Sequence, residues 1–177
     1  MGQRTTGIGM ISRGRSDKAR WSVVPGSLAI AMLLTVLPYP DWMQFAVPNW
    51  ITLVLFYWCI AIPHKVNVGS GWITGIFVDL LLHTLFGLHA IAKAFVALIG
   101  VTGHRRLRMY HLWQQCIFVF LLCTVEIAFV SWVFHLTNDV AIRLIFWQSA
   151  LTSALVWPVV YTILRHTRQR SGISQAR

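Results

Sequence analysis

The chain has 177 residues, of which 56% are hydrophobic and only 11% are charged, and its mean hydropathy is +0.64. A soluble domain carries about 25% charged residues, so this composition excludes an ordinary soluble fold and predicts a single domain in a bilayer. The formal net charge is +10, but the basic residues stand in short clusters between apolar runs, which indicates membrane topology and not a nucleic-acid-binding face.

The predicted elements are six apolar segments between two basic ends. Residues 1–20 lack the apolar core of a cleavable signal peptide, so we interpret them as a basic cytoplasmic tail. We predict an all-α integral membrane protein, with a six-helix membrane domain over 21–164 and a second basic cytoplasmic tail over 165–177. Its transmembrane helices are expected at 21–37, 46–62, 70–86, 88–103, 112–134 and 144–164.

The apolar stretch between residues 71 and 103 could be one long helix or a hairpin that turns near Gly87. A hairpin places nearly all of the 15 Lys and Arg residues on the cytoplasmic side, whereas a single helix splits them evenly and buries Lys93. The distribution of positive charge therefore predicts the hairpin, with both termini cytoplasmic.

Four residues recur every fourth position in the third segment: Gly71, Gly75, Asp79 and His83. Small residues in such a row let two helix backbones approach closely, which is how helices pack in lipid. A carboxylate at mid-membrane depth is costly unless it is paired, neutralised or turned into the bundle. The row therefore predicts a packing surface and makes Asp79 a candidate site.

Five ionisable residues lie at or near membrane depth: Asp79, His83, His89, Lys93 and Glu126. The preferred interpretation pairs Asp79 with Lys93 across the hairpin, because their depths differ by only roughly 4.5 Å, which a lysine side chain can cover. Proton or ion transport through Asp79 and Glu126, and extension of Lys93 to the outer interface, stay open as alternatives.

Glu126 has three open roles in the sequence. It could accept a hydrogen bond from a Thr or His of another span, be protonated through desolvation, or contact the helix of a second protein. His83 and His89 are six residues apart around a turn, which is poor geometry for two metal ligands, so we predict ordinary polar contacts and no metal site.

No motif for catalysis is present: the sequence lacks a hydrolase elbow, a phosphate loop, an HExxH motif and a paired-carboxylate arrangement. We therefore expect no catalytic residue and no cofactor. Reduced, buried thiols are predicted for the three cysteines, which lie in apolar runs without CxxC spacing: Cys59, Cys116 and Cys123.

A long motif carries a family resemblance. The run PNWITLVLFYWCIAIPHKVNVGSGWITGIFVDLL at 48–81 is followed by LFGLHAIAKAF at 85–95, WQQ at 113–115 and WP at 157–158. Together these elements resemble the MreD family of rod shape-determining proteins of Gram-negative bacteria, over roughly residues 36–165. The basic residues 1–20 are not explained by the resemblance.

The resemblance implies a non-enzymatic scaffold of the bacterial inner membrane that maintains rod shape. Its implied partners are the single-span protein MreC, the actin-like MreB filament, the rod-type glycosyltransferase and transpeptidase pair that builds lateral peptidoglycan, and membrane lipids. The implied fold is similar to the six-helix substrate-binding subunit of energy-coupling-factor transporters. That likeness leaves a small-solute-binding transport subunit as the alternative function, and the handling of a lipid precursor stays open as a third.

The resemblance also implies which residues shape the working surface, through partner binding or through the form of the bundle. They are the motif positions Pro48, Asn49, Trp50, His64, Asn67, Gly71, Gly75 and Asp79. Family members carry a basic residue shortly after the LG turn, a place that His89 and Lys93 share in this chain.

Overall fold

The computed structural model describes residues 22–40, 46–138 and 147–170, and these ranges form six α-helices, which confirms the predicted all-helical architecture. The predicted N-terminal tail and residues 171–177 lie outside the described residues. The helices are α1 (Val23–Val36), α2 (Trp50–Ala61), α3 (Val68–Leu82), α4 (Leu88–Leu107), α5 (Leu112–Asn138) and α6 (Trp147–Arg170).

Successive helices run in opposite directions, so the bundle has two distinct ends. At one end the start of α6 meets the residues before α2, where the Ser149 hydroxyl donates to the Val47 carbonyl at 2.7 Å. At the other, the guanidinium of Arg108 after α4 reaches the last carbonyls of α2. We call these the His89 end and the Arg108 end, after a residue at each.

Helix α2 is the centre of the bundle. Eleven of its twelve residues are buried, and it packs against α1, α4 and α6. Its aromatic side chains bridge to other helices: the Phe56 ring lies 5.6 Å from that of Trp157 on α6 and 5.8 Å from that of Phe118 on α5. A helix that is apolar on every side is stable only when other elements enclose it, and α2 is enclosed in this way.

The predicted hairpin forms from α3 and α4, with its turn at Gly87, whose φ is +100°. The glycine row packs as expected, because a Cβ at Gly71 would lie 2.6 Å from the Ala97 Cβ, and one at Gly75 would overlap the backbone of Ala90. His83 departs from the row. Its left-handed backbone (φ 50°) ends α3 at Leu82, four residues before the expected boundary at 86, and leaves its side chain exposed.

Several helix boundaries differ from the expected spans, and a side-chain cap explains one of them. Asn67 caps α3 early, because its side-chain oxygen accepts the Gly69 and Ser70 N–H groups. Helix α6 continues through Pro158 to Arg170, so the first residues of the predicted C-terminal tail are helical. α4 extends to Leu107 and α5 to Asn138, each four residues beyond the expected end.

The outer surface of the bundle is apolar. Every helix except α2 exposes large apolar side chains three or four residues apart, with Leu155 on α6 the most open at 81%. Both carboxylates of the described ranges, on Asp79 and Glu126, are instead buried. Judged by length and apolar content alone, α5 over Leu112–Thr137 is the one described helix sufficient to cross a membrane.

Candidate functional site

A buried ion pair joins α4 to α5. Lys93 Nζ lies 2.5 Å from Glu126 Oε1, and the two side chains are 2% and 3% exposed. From α2, Thr52 donates its hydroxyl to Glu126 Oε2 at 2.7 Å and accepts from Lys93, and the Asn49 amide oxygen accepts from Lys93 at 3.3 Å. These four residues, the Lys93 cluster, use all three ammonium hydrogens and hold three helices together.

The expected pair between Asp79 and Lys93 is therefore wrong. Sequence spacing placed the two residues at similar depth, but it did not show which side of each helix they occupy. Lys93 faces α2 and α5, and at 1% exposure it does not extend to the interface either. Of the roles left open for Glu126, a hydrogen bond from a Thr of another span is confirmed by its contact with Thr52.

Asp79 instead caps the start of α4. Its carboxylate accepts the backbone N–H groups of Gly87 at 2.8 Å, His89 at 2.9 Å and Ala90 at 3.4 Å. The first N–H groups of a helix have no partner inside it, and the helix dipole favours a negative charge there. Asp79 thus closes the hairpin through backbone contacts that no charge count in the sequence could predict.

The same carboxylate holds the His89 ring. Asp79 Oδ1 lies 2.9 Å from His89 Nδ1 and accepts the Thr84 hydroxyl at 3.1 Å. Because a carboxylate can only accept, Nδ1 carries the proton and Nε2 is left as an acceptor in the neutral ring. Nε2 has no hydrogen bond to any residue that the structure describes. The predicted polar contact of His89 is thereby confirmed.

A cavity of about 680 Å³ lies at the His89 end, and all six helices or the residues beside them contribute to its walls. The Lys93 cluster and the His89 ring meet at this space. Its polar lining residues are Thr35, Tyr39, Asn49, His89, Lys93, Glu126, Ser131 and Ser149. The apolar side comprises Leu37, Val78, Leu82, Ile127, Val130 and Phe134.

The remaining predicted residues divide between the two ends. Pro48 and Asn49 line the cavity, and the Asn49 backbone N–H donates to Ser153 on α6 at 2.9 Å. The Trp50 indole N–H is buried and has no hydrogen-bond partner within the described ranges. His64 and Asn67 are exposed at the Arg108 end. Gly71 and Gly75 are buried between α3 and α4.

Arg108 is a structural residue that the sequence interpretation used only as a topology signal. Its guanidinium donates to the Ile60 carbonyl at 2.8 Å and the Ala61 carbonyl at 2.7 Å, which satisfies the C-terminus of α2. Partial burial, and then the positive charge of Arg168, lower the pKa of Arg108. The guanidinium stays charged at neutral pH, because its ordinary pKa is above 12.

The WQQ and WP motifs meet across the bundle. The Trp157 indole N–H donates to the Gln115 side-chain oxygen at 3.2 Å, and the Gln115 amide donates to the Leu107 carbonyl at 2.9 Å. This contact links the end of α4 to α5 and α6. The sequence contained both motifs, but their distance along the chain concealed the pairing.

Apolar outer faces around buried, mutually satisfied polar groups are the arrangement of a helical membrane protein. Similarity to known proteins identifies the family. The family model of the rod shape-determining protein MreD matches residues 16–167. The rod shape-determining protein MreD of Haemophilus influenzae is 32% identical over 162 residues, which cover 85% of this chain and 93% of that protein.

This chain belongs to the MreD family of rod shape-determining proteins, so its role lies in cell shape and the resemblance drawn from the motifs is confirmed. No solved structure matches the chain. Within the described ranges, no three His, Cys, Asp or Glu side chains converge on a point that could hold a metal ion.

Proposed function

We propose that this chain is a non-enzymatic scaffold of the bacterial inner membrane, which binds MreC and links lateral peptidoglycan synthesis to the MreB filament. The observation that carries the proposal is family membership over most of the chain. The Lys93 cluster supports a structural role, because its ammonium donors are all used within the bundle.

The proposed placement has six spans with both termini in the cytoplasm. The described basic residues outside the bundle core gather at the Arg108 end, and a cytoplasmic position for that end satisfies the positive-inside rule. They are Lys65, Arg105, Arg106, Arg108, Arg165, Arg168 and Arg170.

The short α2 is consistent with this placement. Its twelve residues extend roughly 18 Å, against about 30 Å of hydrocarbon. Because α2 is enclosed by other helices, protein and not lipid surrounds its polar ends, and its length need not match the bilayer.

The α3–α4 hairpin is the proposed centre of partner binding. Gly71, Gly75 and Asp79 are buried inside it, so they act on a partner by setting the shape of the hairpin. On the outer surface of the hairpin, α3 exposes Trp72 and Phe77 at 51% and 56%. That side is the proposed contact for the single helix of MreC, since aromatic side chains supply large contact areas.

Co-purification of MreC tests the proposal. Tagged wild-type chain, Asp79→Ala and the double variant Trp72→Ala/Phe77→Ala are recovered from mild-detergent extracts of the native membranes. A control, Leu155→Ala/Val159→Ala, removes two exposed apolar side chains from α6, at 81% and 57%. We expect stoichiometric MreC with the wild type and the control, and a loss of at least about tenfold with the other two.

Absence of MreC from the wild-type preparation would overturn the scaffold proposal. Equal losses in the control and the α3 variant would instead overturn the placement of the contact on α3. Gel filtration of each variant separates loss of binding from loss of folding, because an unfolded chain leaves the monodisperse peak.

A small-solute-binding transport subunit is the second candidate function. The cavity at the His89 end favours it, since small-molecule sites have volumes of about 300–1,000 Å³. This function predicts that wild-type protein is recovered with a water-soluble compound and with energy-coupling subunits in place of MreC.

A further inference from the structure

The cavity at the His89 end has a polar side whose ammonium group is already fully hydrogen-bonded. Lys93 is the cation on that side, and its three hydrogens are already donated to Asn49, Thr52 and Glu126. An anionic group would therefore find no free ammonium donor in the Lys93 cluster. The charged residues on this side therefore recognise a ligand through the groups that can still accept a hydrogen bond.

Two residues that line this space carry such acceptors. His89 Nε2 has no partner among the described residues, and the carboxylate oxygens of Glu126 have lone pairs beyond those used by Thr52 and Lys93. The charges of Lys93 and Glu126 offset each other, while Asp79 lies directly behind the His89 ring. The Asp79 carboxylate thereby adds a negative charge beside this space, which suits a cation that donates hydrogen bonds.

The side of the cavity between α1 and α3 is weakly closed. α1 packs mainly on α2 and α3 mainly on α4, so no extensive contact joins α1 to α3. Leu37 after α1, and Val78 and Leu82 on α3, line the cavity on either side of this gap. An apolar chain that passes between them would lead from the cavity to the hydrocarbon around the bundle.

We propose that the cavity binds a phospholipid with a primary-amine headgroup. The ammonium donates to His89 Nε2 and Glu126, and the acyl chains leave the bundle between α1 and α3. The binding site depends on the membrane location of the family but not on MreC, so it stands apart from the scaffold function.

Native mass spectrometry of the full chain tests this site with three lipids of identical acyl chains. Phosphatidylethanolamine has three N–H donors, phosphatidylcholine has the same charge without a donor, and phosphatidylglycerol is anionic. We expect one phosphatidylethanolamine per chain, retained at least about tenfold better than either other lipid. Of the three headgroups, only its ammonium can donate a charged hydrogen bond to the site. Equal retention of all three lipids would overturn the proposal.

Variants test whether the retained lipid occupies the cavity. His89→Asn keeps an N–H donor for Asp79 but removes the Nε2 acceptor, so we expect the lipid preference to disappear while the chain stays folded. Val130→Trp places an indole ring in the cavity and should abolish retention. Leu121→Trp is the control, since Leu121 is 54% exposed on the same helix and does not line the cavity.

Retention by Val130→Trp at the wild-type level would place the lipid elsewhere and overturn the site. If that variant fails to fold, Leu37→Trp tests the same space from α1. Competition with glycerophosphoethanolamine, the water-soluble headgroup, tests the source of the amine. Displacement of the lipid at equal concentration would assign the site to a soluble amine and contradict the acyl-chain path.

Discussion

Lys93 shows how one buried charge is held in an apolar bundle. A lysine ammonium without a partner at this depth would be costly, yet Lys93 is 1% exposed and donates to three oxygens on two other helices. Removal of one partner from such a pair leaves an uncompensated charge, which costs more than the pair contributes. Replacing Lys93 alone and Glu126 alone should therefore cost more stability in total than replacing both in a double variant.

We predict that Lys93→Met and Glu126→Gln each lower the free energy of unfolding by about 3–5 kcal/mol, because each breaks the buried pair. The double variant Lys93→Met/Glu126→Gln should lose less than the two single losses added together. Thermal unfolding in detergent measures all three, with Arg106→Met as a control that removes an exposed cation. Strictly additive losses would show that the two groups do not interact.

The residues of this site could be predicted from the sequence, but their hydrogen-bond partners could not. Asp79, His89, Lys93 and Glu126 were all identified, because charge in an apolar segment is visible without a structure. The partners depend on the rotation of each helix about its own axis, which depth along the membrane does not specify. Asp79 was therefore assigned to Lys93, while the structure assigns it to the backbone at the start of α4.

The α3–α4 hairpin is the element whose packing follows most directly from sequence. Gly71 and Gly75 lie against α4, and the backbone of Ala90 occupies the space that a Cβ at Gly75 would need. The Asp79 cap then fixes the turn from inside. A methyl group added at this contact must separate the two helices, whereas the same change at Gly26 on α1 has room.

We predict that Gly75→Ala lowers the free energy of unfolding by about 1–3 kcal/mol through overpacking. Gly26→Ala on α1 is the matched control, because no atom lies within 4 Å of a Cβ placed there. That control should be neutral or slightly stabilising, since alanine favours helix more than glycine does. Similar losses in both variants, measured by thermal unfolding, would contradict the close α3–α4 contact.

The C-terminus of α2 depends on a side chain from another element. Arg108 donates to two of its last carbonyls through a planar guanidinium, a geometry that a lysine ammonium does not reproduce. We predict that Arg108→Lys lowers the free energy of unfolding by about 1–2 kcal/mol although the charge is kept. Arg105→Lys changes an exposed residue on the same turn and should have no measurable effect. Equal melting temperatures of Arg108→Lys and Arg105→Lys would contradict the stabilisation of α2 by Arg108.

At the scale of the whole molecule, buried polar groups and exposed apolar faces form one consistent pattern. The basic residues of the described ranges, apart from Lys93, gather at the Arg108 end, and the cavity lies at the His89 end. The proposed orientation therefore gives the scaffold a basic cytoplasmic face and places the lipid site on the periplasmic side.

Two single-cysteine variants test the predicted orientation. Each is made in a chain whose Cys59, Cys116 and Cys123 are replaced by Ala. His64→Cys, in the exposed α2–α3 turn, should react with an impermeant maleimide only in inverted vesicles. Leu85→Cys, 41% exposed between α3 and α4, should react only in intact cells with a permeabilised outer membrane. Labelling of both from the same side would contradict six spans.

The position of the Lys93 partners along the chain has a consequence for biosynthesis. Glu126 follows Lys93 by 33 residues, so at roughly 5–20 residues per second the ribosome makes it about 2–7 s later. Asn49 and Thr52 precede Lys93, and their oxygens are available when α4 enters the bilayer. We therefore expect the Lys93 ammonium to bind the oxygens of Asn49 and Thr52 first. The Glu126 carboxylate then neutralises its charge once α5 has been inserted.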